Sequence, residues 1–311
     1  MIAMVFDAMI CSIEYYMRAA LPRAAGEEHF MTYKIVCDSG CDFNEEDRQD
    51  PVFIRVPLTL RVGEEEIIDD DSFDQPSFLE KVDACEECPH SACPSEGAFL
   101  DAYIQAGDVD VIFVVALTKK LSGSYNAAHV AKEIYTEEGH GKAKIVVIDS
   151  RSAAVGETVI ALKLRELMNS GMPLREVVHT TAEFVREMST FFTLETIDTF
   201  RKNGRMNGVT FLMANALNIK LVLYANRGEI AKYTQAVGMK KSIDKMIAQF
   251  VSEVKDPETK VLGITHINCP ERAEEVRDKI LALTPFRSVY IVNGGGISSL
   301  YANQGGIIIT A

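Results

Sequence analysis

Short apolar runs alternate with helical periodicities through the first half of the chain. Tyr33-Lys34-Ile35-Val36-Cys37-Asp38 is one run, closed by Ser39-Gly40, and reads as a strand ending in a loop. Val52 to Leu60 reads as a second strand, and the acidic stretch Glu64 to Asp71 as a solvated turn. Ser95 stands before Glu96 and the apolar positions Phe99, Leu100 and Tyr103, which predicts a capped amphipathic helix. Val109 to Leu117 is almost wholly apolar, the pattern of a strand covered on both faces. It feeds Thr118 to Gly123 and then a helix through Tyr125, Ala128, Ala131 and Ile134. Lys144 to Ile148 is the next strand and Val155 to Met168 the next helix. Strand and helix in alternation predict an α/β domain built on a mostly parallel, doubly wound sheet.

Past residue 170 the pattern changes. Pro173 suits a first helical turn, and Leu174, Val177, Val178 and Val185 share one apolar face. Phe191 to Leu194 is a brief strand, and Ile197 to Lys202 a short helix ended near Gly204. Leu217 to Tyr224 and Glu229 to Ala236 flank Asn226-Arg227-Gly228, a hairpin signal. A helix over Ser242 to Val254, a strand over Lys260 to His266, a helix over Arg272 to Leu283 and a last strand pair complete the chain. This half reads as α+β with a mixed sheet. The expected class is therefore α/β in two domains, residues 31–175 and 176–311. The segment 1–30 reads as an extension outside the core. Asp7 and Glu14 interrupt its apolar stretch and no basic start precedes it, so it fits neither a signal peptide nor a membrane span.

Charge and cysteine usage narrow the function. With 45 acidic against 32 basic residues the net charge is −13, and no basic cluster exceeds Lys119-Lys120 or Lys240-Lys241. Nucleic-acid binding is excluded on that ground. The seven cysteines, an odd number, point to free thiols in a reducing cytoplasm. Cys85-Glu86-Glu87-Cys88 followed by His90 and Cys93 has zinc-like spacing, but no second knuckle exists and no metal is expected. Asn293-Gly294-Gly295-Gly296 lacks nucleotide-loop spacing and a helix clearly opening from it.

Three loops carry candidate chemistry. Ser91-Ala92-Cys93-Pro94-Ser95 precedes a helix, and Leu121-Ser122-Gly123-Ser124-Tyr125 joins a buried strand to a helix. Ligands of open α/β sheets lie outside the carboxyl ends of the strands, where helix starts offer unpaired N–H groups. Serines at two such starts form a neutral clamp for a carboxylate, although serines there also serve simply as helix caps. The third loop is Arg201-Lys202-Asn203-Gly204-Arg205, in which Arg205 lies past the glycine and is freer to enter a cleft.

These segments resemble the DegV family. Asp38-Ser39-Gly40-Cys41-Asp42, Val56-Pro57-Leu58, Ser91 to Ser95, Leu121 to Ala128, Ile148-Asp149-Ser150, Asn203-Gly204-Arg205, Leu217-Asn218-Ile219-Lys220 and Gly238-Met239-Lys240-Lys241 follow in the family's order. The resemblance covers the chain from about Tyr33 onward. It implies a non-catalytic carrier of a long-chain fatty acid, with no further cofactor and no stable membrane insertion. It also implies a separate fatty acid kinase as partner. The family's carboxyl-holding Thr and Ser fall on Ser91 and Ser122. Two landmarks depart: the family's Arg is Val237 and its His is Tyr301, which can donate to a carboxylate but not become cationic near neutral pH. Lipid binding survives these departures better than kinase partnership. Two rivals stay open, a serine-dependent acyl hydrolase or transferase with His90 as its base, and a lipid-responsive regulatory module.

Overall fold

The fold is seen in a computed structural model, which describes residues 31–206 and 218–311. The segment 1–30 and Leu217, the predicted start of the hairpin, lie outside the described residues.

The first sheet is parallel throughout, in the order β2-β1-β6-β7, with β1 Tyr33–Asp38, β2 Phe53–Val56, β6 Val111–Ala116 and β7 Lys144–Asp149. All six residues of β6 are buried because helices cover both faces. Period-two alternation sends Ile35, Cys37, Val111, Phe113 and Val115 to one core. Val36, Ile112 and Val114 face the opposite core, with Phe99, Tyr103 and Ala128. The chain departs from the predicted elements at Pro57. Val52 to Leu60 is two strands rather than one, because β3 Thr59–Val62 leaves this sheet after Val56-Pro57-Leu58. The acidic stretch is likewise no mere turn: β4 Glu65–Ile68 pairs with β3, as does β5 His90–Ala92, in a small antiparallel sheet. Ser91 thus sits on a strand, not in a loop.

The helices of this half are α1 Glu45–Gln49, α2 Gln75–Ala84, α3 Glu96–Gln105, α4 Ser124–Glu137, α5 Val155–Asn169 and α6 Leu174–Glu187. Val177 and Val185 of α6 pack into the core beneath β1 and β6, so the chain leaves the first sheet's core only after Glu187.

The second sheet is mixed, in the order β10-β9-β8-β13-β11-β12. It comprises β8 Thr190–Thr193, β9 Ile219–Asn226, β10 Glu229–Val237, β11 Val261–His266, β12 Ser288–Asn293 and β13 Ile307–Thr310. The last two strands do not pair with each other; both flank β11. The remaining helices are α7 Asp198–Lys202, α8 Met239–Glu253, α9 Pro270–Leu283 and α10 Gly296–Ala302. One face of this sheet packs on α8 and α9 through Phe191, Val222, Ile307 and Ile309. The other face, carrying Phe192, Leu223, Ile230 and Ile308, turns toward the first sheet's loops.

Helix α10 corrects the reading of the triple-glycine loop, because a helix does open there. Its N–H groups are already taken: Gly295 N donates to Asp42 (2.7 Å), Gly296 N to Asp69 (2.7 Å) and Ile297 N to Asp69 (2.9 Å). Carboxylates occupy the place where a phosphate would bind.

Candidate functional site

A cavity lies between the carboxyl ends of β6 and β7 and the inner face of the second sheet. It holds about 810 Å³ of space, its open mouth included. Its wall is mainly apolar: Leu117 and Leu121 follow β6, Ala153 follows β7, Phe192 and Leu194 follow the period of β8, and Ile308 comes from β13.

Three of the four predicted residues meet at one end of this cavity. Ser91 Oγ lies 3.0 Å from Tyr301 Oη, two hydroxyls from segments 210 positions apart. The Arg205 guanidinium sits over the Tyr301 ring, 5.1 Å from its centroid, and its Nε donates to the Leu121 carbonyl at 3.1 Å. Burial pushes the Tyr301 phenol above its ordinary value, against the opposing pull of Ser91 and Arg205. It therefore stays a neutral hydroxyl at neutral pH. Phe200 of α7 packs on Tyr301 in a tilted arrangement, 4.8 Å between ring centroids, and approaches Phe192 at 6.2 Å, adding aromatic surface at the polar end.

Ser122 is placed differently. Its hydroxyl lies 3.0 Å from that of Ser124 and accepts from Ser124 N at 3.2 Å, and it is not among the described residues lining the cavity. Val237 ends β10 with 62% of its surface exposed, likewise off the cavity wall.

Asn203 is the residue whose role the pattern did not reveal. Its Nδ2 donates to the carbonyls of Pro89 and Thr199, both at 2.9 Å, and its Oδ1 accepts from His90 Nδ1 at 2.7 Å. It ties α7 to β5 and so sets Ser91 opposite Tyr301. It stands next to Gly204, whose φ of 69° supplies the left-handed turn that ends α7. Only its place in the Asn-Gly-Arg motif hinted at this. His90 is turned away from its neighbour Ser91 by strand alternation, which removes the base that a serine nucleophile would need. Among the described residues no group of three His, Cys, Asp or Glu side chains is placed to hold a metal ion.

A sheet-bounded, mainly apolar cavity with hydroxyls and a guanidinium gathered at one place defines a ligand-holding α/β protein. The sequence matches the DegV family, described as "Uncharacterised protein, DegV family", over residues 32–311, and the chain belongs to that family. A DegV domain-containing protein of Streptococcus gordonii is 34% identical over 282 residues, 90% of this chain and 98% of its own. A DegV family protein of Ruminococcus gnavus, solved with vaccenic acid, superposes with a TM-score of 0.87 at 39% identity, covering 90% of this chain and all of its own. The Streptococcus pneumoniae fatty acid kinase (Fak) B3 protein, loaded with linoleic acid, matches with a TM-score of 0.80 at 32% identity over 90% of this chain and 99% of its own. Among the described residues no helix is long and apolar enough to cross a membrane.

Proposed function

We propose that the chain is a carrier that buries a long-chain fatty acid in this cavity, with the carboxyl group held at the Ser91, Tyr301 and Arg205 end. The cavity carries the argument: a mainly apolar wall meets two hydroxyls and a cation at the place where Ser91, Tyr301 and Arg205 come together. Each buried methylene contributes roughly 0.8 kcal/mol, so an acyl tail supplies most of the affinity. The polar end then has only to meet the carboxylate's hydrogen-bonding needs. Relatives solved with vaccenic and linoleic acids support the same reading. The bound acid is the ligand and no further cofactor is required. Six free cysteines among the described residues fit a cytoplasmic carrier.

Solvent extraction of the purified chain followed by mass spectrometry is the test. A fatty acid in near-stoichiometric amount is expected. Lipid-free protein that takes up no long-chain acid on incubation would overturn the carrier.

The pneumococcal Fak B3 relative favours a second step, presentation of the acid to a separate kinase. The kinase's own incubation with loaded protein and ATP should yield acyl-phosphate. Absence of product with an active kinase would leave a carrier without that partner.

A further inference from the structure

A second polar patch, made of residues other than the Ser91 group, lines the same cavity. Thr190, Phe192 and Leu194 share one face of the β8 strand and its extension, and all three line the cavity. Strand rise sets Thr190 about 13 Å from Leu194 along that wall. At Thr190 three hydroxyls form a chain: Ser152 Oγ to Thr190 Oγ1 at 2.9 Å and Thr190 Oγ1 to Thr310 Oγ1 at 3.0 Å. Their residues are 3%, 6% and 0% exposed. Gly156 makes room for the first of them, since a Cβ there would stand 2.0 Å from Ser152 Oγ.

The proton count is the telling point. Three hydroxyls bring three protons, and two bonds within the chain use two of them. The side-chain oxygens of this trio find no further partner among the described residues. If the chain ran toward Thr310, the spare proton would be stranded in a fully buried place off the cavity. An unpaired buried donor costs about 1–3 kcal/mol. With Thr310 donating to Thr190, the spare proton falls on Ser152 or Thr190, the two residues of the trio that line the cavity.

We infer that the Ser152–Thr190 pair directs a hydrogen-bond donor into the acyl cavity, and that the preferred ligand is an oxygenated fatty acid, with a hydroxy or oxo group on the part of the chain that reaches this patch. This rests on the fatty-acid reading above and names the class of acid. An unsubstituted chain leaves the donor unpaired or requires a trapped water beside the acyl tail. An oxygen on the chain pairs it directly.

The test uses the full chain stripped of lipid, octadecanoic acid, and a series of hydroxyoctadecanoic acids with the hydroxyl at successive positions. One isomer is expected to bind about fivefold to tenfold more tightly than octadecanoic acid, the size of one net hydrogen bond. In the triple variant Ser152→Ala, Thr190→Val, Thr310→Val all three hydroxyls become apolar at nearly constant shape, which keeps the fold tolerant of the change. There the preference should vanish while octadecanoic acid binds at least as well. The inference is overturned if every hydroxylated isomer binds the natural chain more weakly than octadecanoic acid, or if the preference survives the triple variant. Failure of all the acids, hydroxylated or not, overturns the fatty-acid reading as well.

Discussion

Two regions join the first sheet to the second, and they are built in opposite ways. Along the seam around α10, two buried carboxylates, Asp42 and Asp69, are each met by three donors. Asp42 accepts from Gly295 N at 2.7 Å and from the hydroxyls of Thr265 and Ser298, both at 2.9 Å. Asp69 accepts from Gly296 N and Ile297 N and from Ser39 Oγ at 2.8 Å. The cavity beside this seam is walled mainly by apolar carbon, and hydroxyls meet at the Ser91–Tyr301 pair and at the Ser152–Thr190 pair. The difference teaches that directional hydrogen bonds fix how the sheets face each other. Apolar side chains therefore need not fill the space between them, and a ligand-sized volume survives without collapse.

Asp69→Ala tests the seam most severely. It strips two backbone N–H groups of α10 and the Ser39 hydroxyl of their acceptor while leaving the cavity wall unaltered. Each orphaned buried donor costs about 1–3 kcal/mol, so a loss of about 4 kcal/mol is expected in denaturant unfolding. A loss below about 1 kcal/mol would show that the seam does not hold the sheets as described.

Ala153→Phe acts on the other region. Ala153 lines the cavity from the segment after β7, and a benzyl group there occupies the acyl path. Retention of a fatty acid through purification should fall more than tenfold, with unfolding stability changed by no more than the 1–3 kcal/mol of ordinary overpacking. Undiminished lipid content in a folded variant would place the acyl chain elsewhere.

Much of this organisation was legible in the chain. The almost wholly apolar run Val109 to Leu117 identified a doubly covered strand, seen as Val111–Ala116, and Ser95 does cap its helix through Ala98 N at 3.2 Å. Solvent-facing β4 was hidden because Glu65 and Glu66 are exposed and carry no apolar alternation. The cavity wall was hidden for another reason. Phe191 packs beneath α8 while its neighbour Phe192 lines the cavity, and nothing in two adjacent phenylalanines tells core from pocket. Ser91, Arg205 and Tyr301 were each visible by motif, but their meeting depends on α7 and α10 folding back over β5, a tertiary event without local signal.

Glu157→Gln sharpens the account of the seam through its pH dependence. Glu157 is fully buried beside Asp38, and both carboxyls are raised, chiefly by burial. Gly40 permits the approach, since a Cβ there would lie 2.7 Å from Glu157 Oε1 and 2.9 Å from Asp38 Oδ1. A folded-state pKa above the unfolded value means that folding takes up a proton. Stability therefore falls as pH rises past the ordinary glutamate range, by at most about 1.4 kcal/mol per pH unit, until the raised value is reached. Asp42, pushed up to about 6 mainly by burial, adds the same sign between the ordinary aspartate range and that value. Glutamine stays neutral at every pH, so the variant should match the natural chain near pH 4 and exceed it at pH 7. Parallel stability curves for the two proteins would refute a raised Glu157 carboxyl in the folded state.

Tyr301→Phe makes the smallest change, at the polar end of the cavity. It deletes one oxygen, keeps the ring that Phe200 and Arg205 pack against, and leaves the Ser91 hydroxyl free to turn to the ligand. If Tyr301 donates to the bound carboxylate, one charge-assisted hydrogen bond is lost, about 1.5 kcal/mol or roughly tenfold in affinity. If Tyr301 only orients Ser91, the affinity changes less than about threefold, because the serine retains its own donor. Histidine at this position separates these outcomes further: Tyr301→His adds a cation below about pH 6.5. Carboxylate binding should then strengthen as pH falls from 7.5 to 6, over a range in which the natural chain with its neutral phenol shows no such gain. A flat pH profile in Tyr301→His would place the carboxyl away from residue 301 and leave Arg205 as the charged partner at that end.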